Sequence, residues 1–74
     1  MDKFSKDIQK RQNCIIRIGT VDVVGHSFIE IRQYYIDKDE NFIPSKKVIS
    51  FRAELLDEMI AGLNELKQRI GKRM

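Results

Sequence analysis

The chain has 74 residues, room for one small domain, with 14 Lys and Arg against 11 Asp and Glu, a net charge of +3, one Cys and one His. The lone Cys14 excludes a disulfide within the chain and fits a reducing compartment, and Cys14 with His26 cannot supply the four ligands of a structural metal. With neither stabiliser available, a chain this short is expected to lean on a second copy of itself.

No apolar run approaches the roughly 18–20 residues that span a bilayer, and residues 1–12 are too polar for a signal peptide. The expected location is the cytoplasm, in association with the nucleoid, for a prokaryotic or phage protein, and the nucleus for a eukaryotic one. Basic residues fall in three groups: Lys3, Lys6, Lys10, Arg11 and Arg17; Lys46, Lys47 and Arg52; and Lys67, Arg69, Lys72 and Arg73. A dimer would double the charge and bring basic groups of both subunits together.

Residues 1–13 are polar, with Phe4 and Ile8 as the apolar positions after the initiator, so an N-terminal arm is expected, either flexible or forming a short helical turn. Residues 14–74 are expected to form the binding and dimerisation domain. Residues 14–24 are rich in β-branched side chains and predict a strand, with Gly19 marking a bulge or bend. Gly25-His26-Ser27 reads as a tight hairpin connection. Residues 28–36 form the clearest strand, with Ile29, Ile31 and Tyr35 facing one way and Glu30, Arg32 and Tyr34 the other. Residues 37–41 are a turn by composition. Phe42-Ile43-Pro44 predicts a short edge strand and Val48-Ile49-Ser50-Phe51 a fourth strand, separated by the polar Ser45-Lys46-Lys47.

The last segment is helical. Leu56, Met59, Ile60, Leu63, Leu66, Lys67 and Ile70 follow the spacing of one helix face, widened by Leu55. Asp57 and Glu58 near the start and Lys67, Arg69, Lys72 and Arg73 near the end complement the helix dipole, with no standard N-cap and Gly71 as a stop. The fold class expected is α+β: a curved four-stranded antiparallel sheet followed by one C-terminal helix, β-β-β-β-α, as a homodimer. The helix can cover one face of the sheet. Its stripe is longer than one small sheet needs, which places Leu56, Met59, Ile60, Leu63 and Leu66 at a two-fold interface.

Signs of catalysis are lacking. Asp37-x-Asp39-x-Asn41 imitates the opening of a calcium loop, but Phe42 stands where that loop needs glycine and Val48 where it needs glutamate. No phosphate loop or nucleophile elbow occurs, and Cys14 reads as a small packed strand residue. The expectation is a protein that is not an enzyme and carries no cofactor or metal. What remains is a surface of cations and rings. Single strands are held by basic side chains that follow phosphates and by aromatic rings that stack on bases, and alternate residues of a sheet project at a regular spacing suited to both. Arg17, Arg32, Tyr34, Tyr35, Lys46 and Lys47 are the candidates, and the plain alternative is rim tyrosines with a solvated lysine turn.

Phe28-Ile29-Glu30-Ile31-Arg32-Gln33-Tyr34-Tyr35 resembles the strand L-I-D-I-R-E-Y-W of the positive cofactor four family of transcriptional coactivators. Residues 37–51 then follow that family's D-P-E-G-E-M-K-P-G-R-K-G-I-S-L without a gap, and Arg52-Ala53-Glu54-Leu55-Leu56 follows N-P-E-Q-W into the helix. The resemblance covers residues 25–66, a little over half the chain. It implies a homodimer that holds single-stranded DNA largely without regard to sequence, on melted DNA in transcription, replication or repair. It also implies contacts from Arg32, from Tyr35 as the strand's last aromatic, from Lys46 and Lys47, and from His26 after the hairpin glycine. Tyr35 replaces a tryptophan, Ser45 and Val48 replace glycines, and Val23 stands where the family has a stacking phenylalanine. With the family aromatic at Tyr35 and strand alternation favouring Tyr34, a bulge near Gln33 is one resolution. Other readings of the same surface are a protein-interaction module that docks on transcription or replication machinery, and a binder of single-stranded RNA.

Overall fold

The computed structural model describes residues 3–71, so Lys72 and Arg73 of the expected basic end lie outside the described residues. Four strands, β1 (Ser5–Arg11), β2 (Cys14–Val23), β3 (His26–Ile36) and β4 (Phe42–Arg52), form one antiparallel meander in chain order. A 3-10 turn (Ala53–Leu55) leads into the helix α1 (Leu56–Gly71). Arg52 at the entry is extended and offers no side-chain cap, as its sequence suggests.

Four strands and a helix is the expected order, but two of the strands are not the expected ones. Residues 5–11 are neither a flexible arm nor a helical turn: they pair with β2 from Ser5↔Gly19 to Arg11↔Cys14 as an edge strand. Every residue of β1 is exposed, so no apolar alternation was needed to specify it, and its charges suit an unpaired edge. The two short strands predicted at 42–44 and 48–51 are one continuous β4. Pro44 is accommodated because β4 is the other edge of the sheet.

The turns show why register is fixed. β2 and β3 are joined by Val24 and Gly25 alone, with φ of 44° and 78°, the paired positive angles of a type I′ hairpin. His26 and Ser27, expected in that turn, already belong to β3. Gly19 makes no bulge, since the β2–β3 ladder runs unbroken from Cys14↔Tyr35 to Val23↔His26. Its role is close approach: a Cβ there would lie 3.2 Å from the Phe4 carbonyl oxygen. The loop from Asp37 to Asn41 is closed by Asp37 Oδ1, which accepts the backbone N–H groups of Asp39 and Asn41, both at 2.9 Å.

Alternation along the paired strands sorts side chains onto two faces. One face is apolar: Ile8, Ile16, Ile18, Ile29, Ile31, Ile43, Ile49 and Phe51, with Cys14, Gln33 and Tyr35. The other carries Asp7, Arg17, Glu30, Arg32, Tyr34 and His26 among Ile15, Val21, Phe28 and Phe42. Among the described residues the buried apolar side chains are Cys14 and Ile29 on the apolar face, with the polar Gln33, and Ile15 on the other. Gln33 is satisfied on both sides, accepting from Lys10 Nζ and donating to Tyr35 Oη, each at 2.8 Å.

The helix does not cover the apolar face. Among the described residues none of α1 is buried, and Met59, Ile60, Leu63, Leu66 and Ile70 remain 36–59 % exposed. Leu63, Leu66 and Ile70 line an open apolar groove of about 370 Å³ along it. Among the described residues two apolar surfaces, a helix stripe and a sheet face, are thus left without a covering element.

Candidate nucleic-acid interface

The charged face is built in rows across the sheet. Asp7, Arg17, Arg32 and Val48 lie in one row, and Ser5, Gly19, Glu30 and Ser50 in the next. Arg17 and Arg32 are therefore direct cross-strand neighbours, with like charges facing each other. Each is held by an acid of its own. Arg17 grips Asp7 with two bonds, Nε to Oδ1 at 2.7 Å and Nη2 to Oδ2 at 3.1 Å. This hydrogen bonding lowers the Asp7 carboxyl below its ordinary value and raises the Arg17 guanidinium above its own. Arg32 donates from Nε to Glu30 Oε1 and from Nη1 to the Ser45 carbonyl oxygen at 2.9 Å.

Two rings complete the cluster. The Arg17 guanidinium carbon lies 4.6 Å from the centre of the Tyr34 ring and 4.8 Å from that of Phe42, within cation–π range of both. Phe42 was not among the residues singled out from sequence. Its pairing with Ile36 puts it on this face, and it is 47 % exposed, but only the β3–β4 register reveals that.

The structure gathers Arg17, Arg32 and Tyr34 and separates the other candidates from them. Tyr34 and Tyr35 point to opposite faces. A register shift does occur opposite Gln33, between Arg32↔Val48 and Tyr34↔Pro44, but the extra residues are on β4, at Ser45, Lys46 and Lys47, and β3 itself is regular. Tyr35 thus stays on the apolar face, tied to Gln33. Lys46 and Lys47 ride on this β4 bulge, which Arg32 anchors through the Ser45 carbonyl and which the Ser45 hydroxyl closes by accepting the Lys47 N–H at 3.0 Å. Neither Ser45 nor Val48 has positive φ, so the bulge does not depend on glycine. Lys47 lines a shallow cleft with Ile16, Ile31 and Gln33 of the apolar face. His26 shares the face of Arg32 but stands six residues along β3, about 20 Å away at the hairpin end.

Among the described residues no group of three or more His, Cys, Asp or Glu is placed to hold a metal ion. No helix among them is long and apolar enough to cross a membrane.

No family model matches the chain, and no curated protein matches it either. Solved structures do. BPSL1147, a PC4 homolog from Burkholderia pseudomallei, is similar in its orthorhombic crystal form at 34 % identity over 84 % of each chain, with a TM-score of 0.79. In its tetragonal form it matches at 31 % identity over 89 % of this chain and 98 % of its own, again with a TM-score of 0.79. A bacteriophage T5 homolog of the eukaryotic transcription coactivator PC4 shares the fold, at 20 % identity, 99 % and 92 % coverage and a TM-score of 0.63. With a four-stranded meander, a trailing helix and a relative this similar over most of both chains, the protein belongs to the family of PC4, positive cofactor four.

Proposed function

We propose that the protein is a homodimer that binds single-stranded DNA on the charged sheet face, largely independently of sequence. The observation that carries this reading is the sorting of side chains by the register: Arg17 and Arg32 with Tyr34 and Phe42 on one face, and most of the isoleucines on the other. The charged face offers the two contacts a single strand needs, cations for phosphates and rings for bases. The apolar face and the stripe of Met59, Ile60, Leu63 and Leu66 then serve the second subunit, since the three buried apolar side chains among the described residues are too few to hold a lone chain together. The phage homolog is described as implicated in recombination-dependent DNA replication, which fits a role on melted DNA.

On this face Arg17, Arg32, Tyr34 and Phe42 form the centre of the footprint, with Lys46 on the β4 bulge beside it and His26 at the far end, while Lys47 lies at the margin, against a cleft of the apolar face. Both arginines already have carboxylate partners, so phosphate contacts fall more heavily on the lysines, which lack such partners among the described residues. Titration of unstructured DNA oligonucleotides and of the matching duplex tests the reading. Single strands should bind tighter, with log K falling against log salt by about 0.7 per neutralised phosphate. Equal or tighter duplex binding would overturn it.

A further inference from the structure

Row geometry leaves a notch in the charged face. It lies beside Gly19, whose own Cβ position is taken up by the close approach of the Phe4 carbonyl oxygen and Ser5; the neighbour across β1 is the small Ser5 and the neighbour across β3 is Glu30. Arg17, Arg32 and Tyr34 stand above it on one side, and together they border a cleft of about 140 Å³. The Glu30 carboxylate, a quarter exposed, sits at the wall of this cleft. Oε1 accepts from Arg32, whereas Oε2 has no partner among the described residues.

We propose that this notch is a nucleobase subsite in which Glu30 accepts a hydrogen bond from the exocyclic amino group of a base, cytosine in the simplest case. This rests on the reading that the charged face holds a single strand. A carboxylate at the wall of a cleft repels a phosphate, so the strand turns its backbone toward the β4 bulge that carries Lys46 and its base edge toward Glu30. A base entering there meets the Arg17 guanidinium, held in place by two bonds to Asp7 and by the Tyr34 ring, and Arg guanidinium planes are stacking surfaces for unpaired bases. Carboxylates read cytosine through its N4 amino donor. Uracil places the O4 acceptor at that position, so two acceptors would face each other without a proton between them. The subsite adds a base preference to binding that is otherwise set by phosphates and stacking.

The test compares short oligo-dC and oligo-dU, which share the sugar and ring but present an N4 amino donor beside a bare N3 in one and an O4 acceptor beside an N3–H in the other, by fluorescence anisotropy at neutral pH with the full chain. The expected result is oligo-dC binding about five- to tenfold tighter, the net range for one ordinary hydrogen bond made in partial contact with water. Glu30→Gln, whose amide oxygen still accepts from Arg32, should bring the ratio to near unity while oligo-dU binding persists or tightens. Equal binding of the two oligonucleotides by the unaltered protein would overturn the subsite and leave single-strand binding intact. A ratio that survives Glu30→Gln would also overturn it, because another group would then be the reader. Failure of both oligonucleotides to bind would remove the single-strand reading itself, and the subsite with it.

Discussion

Replacing Val24 by Asn should stabilise the protein. Val24 is the first of the two residues that turn β2 into β3, held at φ 44° next to Gly25 at φ 78°. A β-branched residue in that region brings Cβ against the following carbonyl, at a cost of about 1–2 kcal/mol. Type I′ turns are built best from Asn-Gly, and asparagine adopts the left-handed region with little penalty. The Val24 side chain is 93 % exposed, so its removal forfeits almost no packing in the subunit. The expected gain is about 1 kcal/mol, which in a domain of this size raises Tm by about 4–8 °C. Thermal and denaturant melts of the two proteins, compared at equal chain concentration so that any association acts on both alike, measure it. An unchanged or lowered Tm would refute the reasoning, and would mean that the tip of the hairpin packs against something outside the subunit.

Asp7→Asn should weaken the β1 edge by about 0.5–1 kcal/mol, since the pair is partly exposed and bidentate, and should tighten single-strand binding by releasing Arg17 for phosphate. The same pair gives a pH signature. The folded pKa of Asp7 lies below the ordinary 3.8, so its contribution is complete above that value and is lost as pH falls through the lower folded pKa; amide exchange in β1 should quicken there and not in Asp7→Asn. Leu63→Glu, at a helix position 59 % exposed in the single chain, should weaken association and, with it, the fold, lowering both the sedimenting mass and Tm; an unchanged dimer would move the interface off the helix. Tyr34→Ala should cost about 1–3 kcal/mol of single-strand affinity, and Tyr35→Ala, on the opposite face, much less; the reverse order in a titration would place the bound strand on the wrong side of the sheet.

Some of this molecule was legible in its sequence, for reasons that differ by element. α1 and β3 each bear one apolar stripe at the period of their own geometry, and both were found where they lie. β1 escaped because an edge strand exposed on both faces needs no apolar alternation, only a partner to bond with. Pro44 suggested a break where an edge strand simply tolerates it. For Tyr34 and Tyr35, alternation alone assigned the faces correctly, while the family resemblance pointed to Tyr35 as the contact residue and left a β3 bulge open. The ion pair that restrains Arg17, and the ring of Phe42 beneath it, depend on which residues of separate strands come opposite one another, and no local pattern encodes that, whereas the Glu30–Arg32 pair, two residues apart on β3, follows from the alternation of that strand.

The excess on β4 is two residues: three of them, Ser45, Lys46 and Lys47, stand opposite the single Gln33. An even excess returns the strand to the same phase, so Phe42 and Val48 remain on one side of the sheet even though the bulge lies between them. An odd insertion or deletion there would exchange wet for dry along the whole outer half of β4. Length changes at this place should therefore be accepted in pairs, and a single added residue should do more harm than any substitution of either lysine.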